Sequence, residues 1–190
     1  MNRIENPFET SEILYEKQLE LLQTVKRRVP TVEIAKKRLD LQRYKLQIEL
    51  DKMDEQAKNV VQSDRDDLAK MAMDGKKPLQ VQISRLDENI RDLNNETQNV
   101  KEIEKQLEAR IKAFKSEKEI LKLRTDLLKE LLESSNMPNE EKKGEIEMEL
   151  SKIKEAVYHL NDELIGSNDL IFTELIKYGI QKDDAKPIEK

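Results

Sequence analysis

Cysteine and tryptophan are absent from this 190-residue chain. Their absence excludes a disulfide scaffold and a cysteine-ligated metal site. Only four glycines occur, and none forms the glycine-rich loop that cradles a phosphate. Three Phe and four Tyr do not supply a compact globular core. No uncharged apolar run approaches the roughly 18 residues that a membrane-spanning helix requires. The single histidine, His159, has no convergent partners and no HExxH-like spacing, so a structural or surface role is expected of it. No nucleophile elbow or Ser/His/Asp order can be built. The expectation is a non-enzymatic chain with no catalytic residue, cofactor or metal.

What is present is charge and leucine. Ala, Glu, Lys, Leu and Arg supply 93 of the 190 residues, and charged residues make up 39%. Such composition with apolar periodicity marks long helices and coiled coils. The apolar stripes also argue against a disordered chain. The net charge of −5 and the scarcity of aromatics for stacking weigh against nucleic acid as a partner. Met1–Glu5 is too short and polar for a secretory signal. With no cysteine either, the expected location is cytoplasmic, with peripheral contact at the inner face of the cell membrane.

Two long periods organise the chain. The first runs on Leu14, Gln18, Leu22, Val25, Val29, Val32, Ala35, Leu39, Gln42, Leu46, Leu50, Met53, Ala57 and Val60. Steps of three and four keep these side chains on one helix face. Pro30 lies inside the pattern, and because the phase continues through it we read a kink or hinge there. Ile34, Leu41 and Ile48 form a second stripe, on another face, with a seven-residue repeat. The second period runs from Leu68 to Leu132 in unbroken steps of four and three, a seam of about nine heptads. Its seam includes polar Thr97, Glu104, Lys118 and Thr125, and Gln42 occupies the first seam. Such residues either fix register and partner choice or mark places where the seam opens to water.

Between the two periods, two turn sites compete on local chemistry. Ser63 can cap a new helix with Asp66 at its third position, and Asp74-Gly75-Lys76-Lys77-Pro78 carries the stronger breakers. Ser134–Asn139 reads as a loop. A third helix follows on Ile146, Leu150, Ile153, Val157, Leu160 and Leu164, with Gly166 and Ser167 as its stop. A short fourth helix is expected over Asp169–Tyr178, with Gly179 ending it, and Gln181–Lys190 reads as a polar tail. The expected fold class is all-α: a long antiparallel helical hairpin (a coiled coil) followed by shorter helices. Its parts are 1–7 as a short N-terminal segment, 8–134 as the hairpin, 135–180 as the C-terminal helices and 181–190 as the tail.

The basic stretch Lys26, Arg27, Arg28, Lys36, Lys37, Arg38, Arg43 and Lys45 carries a net +6 once Glu33 and Asp40 are counted. Such a run is a candidate contact for an anionic lipid surface, where each basic residue contributes roughly 1 kcal/mol. The alternative is a solvated face pairing with acidic neighbours, among them the Glu-rich segment 133–149. Near the hairpin end, Met71, Met73, Ala69 and Ala72 form a small apolar patch, read as a plain helix end more readily than as a subunit contact.

Several segments carry a resemblance. Asp64-Arg65-Asp66-Asp67-Leu68-Ala69-Lys70-Met71-Ala72 resembles the acidic tip motif of the PspA/IM30 family, grouped with the ESCRT-III superfamily. Leu79-Gln80-Val81-Gln82-Ile83 is similar to the helix after that tip. Leu107-Glu108-Ala109-Arg110-Ile111, with Lys115 and Leu121-Lys122-Leu123-Arg124, is similar to a later stretch. Glu5-Asn6-Pro7 resembles the family's Glu-Asp-Pro before its first long helix. The likeness covers about residues 5–132 and is carried by the combination and its spacing.

The resemblance implies an ESCRT-III-like hairpin with its tip at 62–65 and Gly75 and Pro78 inside the second helix. It implies homo-oligomeric rods or rings acting in membrane maintenance or remodelling under envelope stress, with a regulatory protein unassigned. Outer stripes Ile34, Leu41 and Ile48 would bind adjacent subunits, and the terminal residues Leu170, Ile171, Leu175 and Tyr178 would pack across a neighbour. Only Met1–Glu5 precede Asn6-Pro7, where relatives carry an amphipathic helix of about twenty residues. Five residues are too few for such a helix, so lipid contact is expected to rest on charge, another surface or a partner. The rival reading is a soluble coiled-coil adaptor that binds a protein and never touches a membrane.

Overall fold

The structure, a computed structural model, describes residues 6–62, 66–134 and 140–180, apart from the side chains of 60–62, 66–69 and 72. The described residues are all-helical and contain no strand. Three helices carry them: α1 over Pro7–Gln62, α2 over Asp66–Glu133 and α3 over Glu140–Ile176. Of the expected tip at 62–65 and loop at Ser134–Asn139, residues 63–65 and 135–139 lie outside the described residues, as do 1–5 and the tail 181–190. Gly75 and Pro78 fall within α2 and Pro30 within α1.

Asn6 starts α1. Its side-chain oxygen accepts the Phe8 N–H at 3.1 Å, its amide donates to Glu9 at 3.2 Å, and its carbonyl accepts the Glu9 N–H. Those bonds satisfy donors that the first turn leaves without helical partners. Pro7 occupies the position where a missing N–H costs nothing.

The end of α3 is built differently. Gly179 takes a φ of 73°, Ile180 N–H reaches the Leu175 carbonyl and Gly179 N–H reaches that of Ile176. This is a Schellman stop, and its expected apolar contact partners, Leu175 and Ile180, are both buried.

By its contacts the chain divides into two units, Met1–Lys26 with Glu102–Lys190, and Arg27–Lys101. The first is a three-helix bundle. Its α1 and α2 segments run antiparallel, with Lys118 on Glu12 at 2.8 Å and Lys26 on Glu108 at 2.6 Å. Its α3 runs parallel to α1, tied at Ser11–Asn161 and Gln18–Asn168. Leu21, Val25, Leu107, Val157 and Leu175 are nearly or fully shut from water, and Leu14, Phe114, Leu160 and Leu164 form a further cluster. Burying each such side chain contributes roughly 1.5–3 kcal/mol.

Polar groups inside this bundle are satisfied. Ser11 Oγ lies 2.7 Å from Asn161 Oδ1 and 3.0 Å from the Pro7 carbonyl, which also accepts from Asn161 Nδ2 at 3.0 Å.

The second unit is an antiparallel pair of α1 and α2. Arg28 meets Glu96 at 2.7 Å, Lys36 meets Asn94 at 3.1 Å, Arg43 meets Asp87 at 3.3 Å, and Lys76 meets Asp54. Among its described residues the buried apolar side chains are few: Val32, Leu50 and Val100. Two helices shield one seam only from two sides, so the other described seam residues here are half-buried, and Gln42 is exposed.

The expected seams place their residues well. Every described member of the Leu68–Leu132 series is buried or half-buried, and in α1 only Gln42 is exposed. The expected stop at Gly166 is corrected: α3 runs unbroken from Glu140 to Ile176. The Leu160–Leu164 phase continues through half-buried Asn168 to buried Ile171 and Leu175. Tertiary burial on both sides of Gly166 outweighs its low helix propensity. Gly166 is exposed, and a Cβ built on it meets nothing within 4 Å. Gly166→Ala should therefore stabilise the bundle by about 0.5–1 kcal/mol in urea unfolding; a separate helix beginning after a turn at Gly166 would instead be destabilised.

Candidate functional site

The basic residues of α1 do not all lie on one face, because a helix turns roughly 100° per residue. Lys26, Arg28, Lys36 and Arg43 reach α2 and bond Glu108, Glu96, Asn94 and Asp87. The hydrogen bond to Glu108 raises the Lys26 ammonium above its usual pKa, against a smaller opposing effect of desolvation. Arg27 also has an interaction within the chain. Lys37, Arg38 and Lys45 are exposed and make no ion pair among the described residues. The partners of the paired bases lie on α2. Among the described residues of 133–149 the ion-paired one is Glu149, which bonds Arg124 and Lys152.

Ile34, Leu41 and Ile48 stand on the same outward side as Arg38 and Lys45. They are 53%, 56% and 38% exposed, with Tyr44 at 62%. The inward side carries Val32, Ala35, Leu39 and Leu46, all buried or half-buried. The structure thus brings together two groups of candidates that the sequence reading kept apart: an apolar heptad stripe and the unpaired cations.

The C-terminal candidates separate. Leu170 is 72% exposed, but Ile171 and Leu175 are buried at 4% and 0%, and Tyr178 is half-buried. Ile171 and Leu175 are thus covered within the chain itself, against the expectation of a neighbouring subunit, while Leu170 stays open. Because α3 is continuous, Ile171 and Leu175 continue its inward stripe and are spent inside the three-helix bundle. Met71 and Met73 are exposed, and the side chains of Ala69 and Ala72 lie outside the described residues. His159 sits on the surface beside Glu163 at 3.5 Å.

Buried polar residues are where sequence reasoning fell short. Lys118 is 7% exposed, paired with Glu12 and placed 4.9 Å over the Tyr15 ring. Among the other seam polars, Thr125 and Thr97 return their hydroxyls to carbonyls one turn back, as Ser and Thr do within helices. Glu104 is half-buried. Asn161 carried no signal beyond its place next to Leu160, which is the flank that a third helix covers.

Among the described residues no helix is long and apolar enough to cross a membrane. Compared with family models, curated proteins and solved structures, the chain matches none.

Two measurements check this partition. Charge reversal at Arg28 and Arg43 should lower the urea midpoint, whereas reversal at Lys37 and Lys45 should leave stability within about 0.5 kcal/mol. Glu12→Gln should destabilise more than Lys118→Met, because the first strands a buried ammonium and the second replaces it by an apolar side chain of similar length.

Proposed function

We propose that this chain is a PspA-like protein of the ESCRT-III superfamily that assembles with copies of itself and acts in membrane maintenance or remodelling during envelope stress. Its α1 and α2 would form one long hairpin, and the hairpins would stack into rods or rings. The motif spacing from Glu5-Asn6-Pro7 to Leu121-Lys122-Leu123-Arg124 supports the family. One observation carries the assembly: apolar Ile34, Leu41 and Ile48 repeat every seven residues and stay exposed on the two-helix unit. Isolated exposed apolar residues need no explanation, but a stripe in heptad register is a helix-binding surface.

Membrane contact in this reading rests on the assembled surface and on cations that the fold leaves unneutralised, not on a spanning helix. A second reading has an observation of its own. Four of the eight candidate cations are engaged by α2, which reduces the charge offered to lipid and favours a soluble coiled-coil adaptor.

Replacing Ile34, Leu41 and Ile48 by Ser should keep far-UV helicity while large particles disappear from light scattering and electron micrographs. Unchanged particle size rejects the assembly. Substituting Ile171 or Leu175 is not an equivalent test, since it opens the bundle core at a cost of about 2–5 kcal/mol for truncation to Ala. Co-sedimentation with anionic vesicles separates the readings. Binding that weakens as salt rises supports membrane action, and no binding at any salt supports the adaptor.

A further inference from the structure

The outward side of α1 in the two-helix unit is a second complete heptad seam. Ile34, Arg38, Leu41, Lys45, Ile48 and Lys52 follow in steps of four and three, so that apolar and basic residues alternate. All six are exposed. Arg38, Lys45 and Lys52 make no ion pair among the described residues.

The outward side of α3 in the three-helix bundle has the same design with the opposite sign. Glu155, Tyr158, Asp162, Ile165, Asp169 and Phe172 also alternate in steps of four and three. The three acids are exposed and make no ion pair among the described residues. Ile165 is 42% exposed, and Tyr158 and Phe172 are half-buried. The inward side of α3 is occupied within its own bundle, by α1 near Ser11 and Gln18 and by α2 near Arg110 and Arg124. The acidic seam is left facing out.

The two seams match in length and in phase. Arg38 to Lys52 and Glu155 to Asp169 each span fourteen residues, about 21 Å of helix. In both, the step from apolar to charged residue is four and the step back is three. A parallel pairing therefore sets base against acid and apolar against apolar: Arg38 with Glu155, Leu41 with Tyr158, Lys45 with Asp162, Ile48 with Ile165, Lys52 with Asp169. An antiparallel pairing sets each charge against an apolar residue, where a buried unpaired charge is penalised. Pairing either seam with itself sets like charges face to face in parallel and charge against apolar residue in antiparallel, and both are penalised.

We infer that the acidic outward seam of α3 in one copy docks in parallel on the basic outward seam of α1 in the next copy. This rests on the self-assembly part of the proposed function and names its two faces. The contact is heterologous, since each copy offers one seam of each kind. Repeated, it closes into a ring or continues as an open filament, depending on the rotation between neighbours. In this assembly Arg38 and Lys45 pair with the neighbouring subunit, and exposed Lys37, outside the seam, stays available to lipid.

Two variants of the full chain test it. One reverses the basic seam (Arg38→Glu, Lys45→Glu, Lys52→Glu) and the other reverses the acidic seam (Glu155→Lys, Asp162→Lys, Asp169→Lys). All six positions are on the surface, so circular dichroism should show unchanged helicity. If a reversal lowers it, the corresponding Gln or Asn variants replace it. Sedimentation velocity should show that each variant alone needs at least roughly tenfold more protein to assemble than the unaltered chain.

An equimolar mixture should assemble again. There the acidic α1 of one variant meets the basic α3 of the other, and the untouched pair of seams also matches. Wild-type-sized particles from either variant alone, or a mixture that stays dispersed, would overturn the inference while leaving self-assembly standing. A wild-type chain that remains monomeric removes the assembly reading along with it. Loss of binding to phosphatidylserine vesicles by the basic-seam variant, with assembly intact, assigns that seam to lipid and also overturns the inference.

Discussion

The structure depends on how many helices share each stretch of apolar stripe. An α-helix with an apolar seam must cover that seam, and one neighbour covers only part of it. In the three-helix bundle, α3 joins α1 and α2, and side chains such as Val25, Leu107, Val157 and Leu175 are shut from water. Among the described residues of the two-helix unit no third helix joins, buried apolar side chains are few, and Ile34, Leu41 and Ile48 remain outside. The same composition thus yields a closed core in one unit and an open one in the other. Helices of 56 and 68 residues draw their stability from such packing more than from propensity.

Charge follows the same division. Lys26, Arg28, Lys36 and Arg43, on the side of α1 that faces α2, are drawn into cross-helix bonds, and Lys37, Arg38 and Lys45 make no ion pair among the described residues. Most of these pairs are partly exposed, where a single pair contributes little, so their physical role is register rather than strength. Arg28–Glu96, Lys36–Asn94 and Arg43–Asp87 recur along the two-helix unit and oppose a slip of one helix past the other. Lys118 is the exception. It is buried deeply enough that Glu12 and the Tyr15 ring must both attend it.

Much of this was legible in the sequence. Steps of three and four identified which residues of α1 and α2 turn inward, because helix geometry alone fixes that. The stop assigned to Gly166-Ser167 misled because local propensity was weighed without the stripe that resumes at Asn168, Ile171 and Leu175. That phase was present in the sequence and would have kept Ile171 and Leu175 in the core. The sorting of the basic run was only half legible: a helical wheel separates Arg38 and Lys45 from Lys36 and Arg43. Which acids receive the inward bases depends on the register with α2, which no local signal gives. Asn161 and Ser11 were beyond reach for a similar reason, since their value lies in one another.

That buried amide fixes more than a hydrogen bond. With Asn161 held to Ser11 and to the Pro7 carbonyl, α3 has a defined axial position against the first turn of α1. Sliding α3 along its axis would drag a polar side chain beneath Leu14 and empty its own niche. The permitted edits to α3 are therefore quantised. Lengthening or trimming the helix by seven residues beyond Asn161 preserves both its inward and outward faces. A change of one or two rotates everything downstream out of phase, and divergence of this helix should proceed by whole heptads.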